Sequence, residues 1–141
     1  MTTAPPAWSL HPRLEADTVA VGDLPLSRLL VSNDANFPWL LLVPRRSGAS
    51  EIIDLGDADQ AQLAVEIAMV SRALKAVTAC EKLNVAAIGN VVPQLHVHVV
   101  ARWRSDPAWP KPVWGAVAPL PYDAAARDRF IAQLRRAVPL P

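Results

Sequence analysis

The stretch Gln94-Leu95-His96-Val97-His98-Val99-Val100 decides how this chain is read. Two of the three histidines stand in it, two residues apart, inside an apolar run. Side chains alternate between the two faces of a strand. On that pattern Leu95, Val97 and Val99 point one way, and Gln94, His96 and His98 point the other. Two imidazoles then share a strand face with their Cβ atoms roughly 7 Å apart. Such a pair is built for binding or chemistry more readily than for packing.

The neighbouring segments place that strand in a sheet. Upstream, Leu83 to Ile88 reads as a fourth strand, closed by Gly89-Asn90, and the histidine strand is expected over residues 94–101. Proline is tolerated at the entry to a strand, so Pro93 fits. Three earlier strands are expected at Asp17–Val21, Ser27–Ser32 and Trp39–Val43. The last is apolar throughout, which predicts cover on both faces. Asn33-Asp34-Ala35-Asn36-Phe37-Pro38 is turn chemistry and predicts a hairpin between strands two and three.

Helices complete the fold. Leu63, Ile67, Val70, Leu74 and Val77 recur at spacings of four and three, the stripe of an amphipathic helix. Asp57 is the expected cap, with Gln60 completing a capping box. The helix is expected to run to about Cys80 or Glu81, with Glu66 off its stripe. Ile52, Ile53 and Leu55 are expected to tuck under an edge. A last helix over 123–138 starts at Asp123 and presents Phe130, Ile131, Leu134 and Val138, with Arg135 and Arg136 in its final turn. The prediction is α+β: five mostly antiparallel strands with two helices on one face.

Two segments resist this reading. Residues 1–14 look like an irregular arm, with His11 a surface residue. Residues 105–121 hold five prolines together with Trp109 and Trp114. Two tryptophans argue for an ordered excursion, packed near the site's mouth or a subunit boundary.

The 141 residues favour a single domain, 1–141. Hydrophobic residues make up 52% and charged residues 19%, a globular composition. The net charge of +1 comes without blocks of one sign, which argues against nucleic-acid and membrane-surface binding. No internal repeat stands out. There is no signal-peptide pattern and no run of roughly 20 apolar residues. Cys80 is the only cysteine, so no internal disulfide can form. A reducing, cytoplasmic setting is expected, with Cys80 a packing residue.

Three chemistries suit His96 and His98. They can be satisfied polar groups on an ordinary strand. They can be two ligands of a metal site, which then needs more ligands than His11 and scattered carboxylates offer. Or one imidazole can attack phosphorus while the other holds a phosphate oxygen or serves the leaving group.

The run from Gly89 to Arg102 resembles the signature of the histidine-triad (HIT) superfamily, His-φ-His-φ-His-φ-φ with φ apolar. Strand order, the long helix before strand four, the Asn-rich loop and the Leu42-Val43-Pro44-Arg45 ending of strand three are also similar, over residues about 15 to 104. The tail with Trp109, Pro110 and Trp114 resembles a proteobacterial branch of small HIT proteins. The resemblance implies a nucleotide hydrolase or nucleotidyl transferase acting on a phosphoanhydride or phosphoramidate, such as a dinucleoside polyphosphate. His96 stands where the family's nucleophile forms a nucleotidyl-histidine, and His98 where its phosphate ligand and acid stands. Gly89, Asn90 and Asn33 match places that hold phosphate and ribose. It implies a homodimer with no intrinsic metal or cofactor, a divalent ion arriving at most with the nucleotide. The pattern departs at Gln94, which replaces the first histidine and can still orient His96 or phosphate. A supporting histidine of many relatives, just before strand three, is Trp39 here. A nucleotide-binding or sensing protein with weak or no catalysis is the alternative these changes raise.

Overall fold

The computed structural model describes residue 4 and residues 6–141. The part of the arm at residues 1–3 and 5 lies outside the described residues. Five strands, β1 (Thr18–Asp23), β2 (Ser27–Ser32), β3 (Trp39–Pro44), β4 (Lys82–Ala86) and β5 (Val97–Arg102), form one sheet. Their order is β1-β2-β3-β5-β4 and every neighbouring pair is antiparallel. The hairpin is confirmed: β2 and β3 pair with Leu30 opposite Leu41 and Val31 opposite Leu40. β5 inserts between β3 and β4, which seats the histidine strand inside the sheet.

Helix α2 (Asp57–Thr78) and helix α3 (Ala124–Ala137) cover one face. Their Leu63, Val70, Leu74, Ile131 and Leu134 join Leu40, Leu42, Val97 and Val99 in the main core, with Ile67, Val77 and Phe130 packed at its edge. Leu95 and Cys80 are buried in the same cluster. The opposite face carries two smaller clusters. Leu14, Trp8 and Leu10 lie on Leu30, Leu41 and Val43. Ala108 and Val113 of the Pro/Trp-rich excursion lie on Phe37 and Val100. β3 is therefore covered on both faces, as its unbroken apolar run predicts.

Several expectations need correction. A third helix, α1 (Pro12–Asp17), replaces the last residues of the expected arm. Pro12 sits in its first turn, where a missing N–H is harmless. His11 caps it, with Nδ1 accepting from the Arg13 N–H at 3.1 Å. β1 therefore starts one residue late; it runs to Asp23 through a register break between Ala20 and Gly22. α2 is capped by Gly56, not Asp57. Gln60 turns its side chain back to the Leu55 carbonyl at 2.8 Å, so no capping box forms. The helix stops at Thr78 because Ala79 turns left-handed, with φ 55°. Ile53 is 84% exposed and Ile52 41%, and only Leu55 of that trio is buried. β4 ends at Ala86 rather than Ile88.

Glu66, expected off the apolar stripe, is fully buried. Its carboxylate accepts from the Leu26 N–H (2.8 Å), the Ser27 N–H (2.9 Å) and Gln62 Nε2 (2.9 Å). The polar side chain is tolerated there because three donors replace its water. Among the described residues no helix is long and apolar enough to cross a membrane.

Candidate nucleotide site

β5 begins at Val97, three residues later than the expected 94. The reason lies in the backbone ahead of it: the Leu95 N–H donates to the Ala49 carbonyl (3.0 Å), away from the sheet. His96 thus stands on the lead-in and His98 in the strand. They still share a face, with ring centroids 4.9 Å apart and planes at 71°. Each is 7% exposed.

The two imidazoles have opposite partners. His96 Nδ1 lies 2.7 Å from the Gln94 carbonyl oxygen. A carbonyl only accepts, so Nδ1 carries a proton, and in the neutral ring the lone pair then falls on Nε2. His98 Nδ1 lies 2.9 Å from Trp39 Nε1. An indole N–H only donates, so His98 Nδ1 is the acceptor and Nε2 carries its proton. Trp39 reaches His98 because it is the diagonal neighbour across the β3–β5 ladder, in which Leu41 faces His98 and Trp39 faces Val100. Burial, then the adjacent His96, pushes the His98 pKa down to about 4.

Both histidines open onto a cleft of about 830 Å³ on the face away from α2 and α3. The volume suits a small-molecule ligand. Its walls are largely apolar, with Leu14, Leu41, Ile88, Val91 and Val92 among them. Asn33, Gly89 and Asn90 line it. Asn33 Nδ2 is engaged with the Ala16 carbonyl at 3.1 Å. Gly89 has φ +70°, the left-handed turn that brings the Asn90 loop back toward the histidines.

Gln94 is the exception: its side chain does not line the cleft. Nε2 donates to the Ser9 carbonyl (2.9 Å) and Oε1 accepts from the His11 N–H (2.8 Å). The amide grips the N-terminal segment as a strand neighbour would. Only the Gln94 main-chain carbonyl serves His96. The expectation that its side chain orients His96 or phosphate is corrected accordingly.

The cleft also holds residues that pattern reading passed over. Arg13 and Asp17 of α1 line it, with Thr18, Ser32 and Asp34. Pro12 at a helix start was the available signal for α1. Trp114 stands at the cleft as the expectation for the tail allowed, its ring centroid 5.1 Å from His98 and 5.9 Å from Trp39. The excursion that carries Trp114 is pinned by Arg102 and Asp106. Their side chains are 1% and 4% exposed and make paired contacts at 2.7 and 3.0 Å. Arg102 also donates to Asn84 Oδ1 (2.8 Å), and its guanidinium lies 5.6 Å from the ring centres of both Phe37 and Trp109. Burial opposes the Asp106 charge, but Arg102 and the main-chain N–H groups of Trp103 and Ala108 win, and its pKa lies below the ordinary carboxylate value. At the far end, Asp34 Oδ1 accepts from the Leu120 N–H at 3.2 Å. Among the described residues no group of three His, Cys, Asp or Glu is placed to hold a metal ion.

Comparison with known proteins agrees with this geometry. The HIT domain model matches residues 13–105. A histidine triad protein from Bradyrhizobium japonicum is 62% identical, with a TM-score of 0.93 over 94% of this chain and 99% of that one. A histidine triad (HIT) protein from Sinorhizobium meliloti is 41% identical, with a TM-score of 0.91 over 93% and 97% of the two chains. One from Marinobacter aquaeolei is also 41% identical, with a TM-score of 0.91 over 94% and 97%. No curated protein matches the chain. A sheet with an inserted histidine strand, two facing imidazoles above an apolar cleft, and a family match over most of the length together establish that this chain belongs to the histidine-triad (HIT) domain family.

Proposed function

We propose that this protein is a nucleotide hydrolase or nucleotidyl transferase that works through a covalent nucleotidyl-histidine on His96. The observation that carries the reading is the Gln94 carbonyl against His96 Nδ1, which leaves Nε2 as a nucleophile. The Nε2 lone pair attacks the α-phosphorus and forms a P–N bond. The bond from phosphorus to the leaving group breaks, and its electron pair departs with that group. Water or another acceptor then attacks the same phosphorus and releases one proton to solvent. The P–N bond breaks and His96 returns to its Nδ1–H form. His98 holds a phosphoryl oxygen or serves the leaving group. Asn90 and Gly89 are assigned to phosphate and Asn33 to the ribose, on their places around the cleft. The protein's own chemistry calls for no resident cofactor; a divalent ion enters, if at all, on the nucleotide.

The test compares wild type with His96→Ala on a panel of dinucleoside polyphosphates and nucleoside phosphoramidates, with acid quench to trap the intermediate. Turnover in wild type and its loss in His96→Ala is the expected result; equal turnover overturns the proposal. A second reading, a nucleotide sensor with weak catalysis, draws on the departure of the Gln94 side chain from the cleft. Tight binding without a trapped intermediate supports it.

We also propose that the protein works as a homodimer in the cytoplasm. β4 is an edge strand with unpaired backbone groups and a Val85 that is 48% exposed, a surface that a second copy can cover. Sedimentation at micromolar concentration should give twice the chain mass. Cys80 is a free thiol, as a reducing compartment favours.

A further inference from the structure

We infer that Trp39 is a positioning residue that holds His98 as a neutral hydrogen-bond donor, and that the site is thereby selective for phosphoanhydrides over phosphoramidates. The inference rests on the nucleotidyl-histidine reading above and narrows its substrate class.

The argument starts from one hydrogen bond. Trp39 Nε1 meets His98 Nδ1 at 2.9 Å. A partner that can only donate admits one arrangement, an unprotonated Nδ1 and a protonated Nε2. A proton added to His98 would have to enter at Nδ1, against the indole N–H. Among the described residues no carboxylate is hydrogen-bonded to His98: the titratable side chain acting on it is His96, and the charged groups sharing the cleft are Arg13, Asp17 and Asp34. Trp39 is itself held edge-on between Phe37 and Trp114, at centroid distances of 6.4 and 5.9 Å, so it cannot easily swing away. Burial and the neighbouring His96 push in the same direction as the hydrogen bond.

A neutral imidazole donates a hydrogen bond from Nε2 but gives up that proton only with great difficulty. When the P–O bond of a phosphoanhydride breaks, its electrons settle on a phosphate oxygen, and the phosphate or nucleotide leaves as a stable anion. The Nε2–H of His98 is sufficient to steady that charge. When the P–N bond of a phosphoramidate breaks, the electrons settle on nitrogen, which leaves only as the protonated amine. That proton has to come from an acid, and a pinned His98 does not supply one. General-acid assistance of this kind is commonly worth ~100-fold or more.

The experiment has two arms. The first records the histidine ¹⁵N spectrum of the wild-type protein from pH 5 to pH 8. His98 should show one neutral form, protonated at Nε2, throughout. The second measures kcat/KM for a dinucleoside polyphosphate and for a nucleoside 5′-phosphoramidate, with an expected preference for the anhydride of ~100-fold or more. In Trp39→Phe, which keeps the burial but removes the indole donor, His98 should become a mixture of tautomers that takes a proton more readily than in wild type, and the preference should shrink at least ~10-fold. A wild-type His98 that is protonated at Nδ1, or cationic near neutral pH, overturns the inference. So does a pinned His98 with equal turnover of both substrates. Because both wild-type measurements decide the matter, a poorly folding Trp39→Phe does not remove the test. If neither substrate is turned over, the hydrolase reading and the selectivity fail together, while the spectrum alone upholds or overturns the positioning role of Trp39.

Discussion

At the scale of single residues, the site is a pair of imidazoles made unequal by their partners. His96 receives a carbonyl and becomes a potential nucleophile; His98 receives an indole N–H and becomes a donor. The depressed pKa of His98 links the site to stability. Unfolded, its imidazole takes a proton near pH 6.5; folded, it does so only near pH 4. Between those values the unfolded chain binds more protons than the folded one, so stability falls as pH falls. The stability is fully present above about pH 6.5, and about 3 kcal/mol of it is lost by the time pH 4 is reached. Urea titrations of wild type and His98→Asn across pH 4–7 should show a weaker pH dependence in the variant. Gln94 acts differently, through its grip on Ser9 and His11. Gln94→Ala should lower stability by about 1–2 kcal/mol and make the segment before Pro12 more sensitive to limited proteolysis, read by mass spectrometry.

At the scale of elements, buried polar groups join pieces that apolar packing alone would leave loose. Glu66 ties α2 to the start of β2 through two main-chain donors. Glu66→Ala should cost about 2–4 kcal/mol in chemical denaturation, since it strands two buried N–H groups. The Arg102–Asp106 pair ties the excursion to β5. Asp106→Ala leaves an uncompensated buried guanidinium and should destabilise by about 3–5 kcal/mol. It should also raise KM for nucleotide, because Trp114 rides on the segment it releases. Ala79 marks the opposite case, a left-handed residue with a side chain ending α2. Ala79→Gly should stabilise by about 0.5–1 kcal/mol, measurable as a raised Tm.

At the scale of the whole molecule, the sheet separates the main core from the cleft. α2 and α3 build the main core on one face, and the other face is shared by α1, the cleft and the excursion. The apolar stripe of α2 and the double-faced run of β3 were legible because each follows from a local period. The paired histidines were legible because strand alternation survives one residue beyond the strand's end. The site's other half was not. Arg13, Asp34 and Trp114 come from three separate segments with no common pattern, and folding alone brings them together.

The chain's own order of residues therefore determined the sheet, the two long helices α2 and α3, the histidine pair and the family they belong to, since periodicity and a short motif are local properties. The tertiary structure decided the roles. Whether Gln94 faces ligand or arm, and whether Trp39 packs or donates, depends on partners 59 to 85 residues away. A hydrogen bond needs an atom within about 3 Å, and no spacing along the chain specifies that.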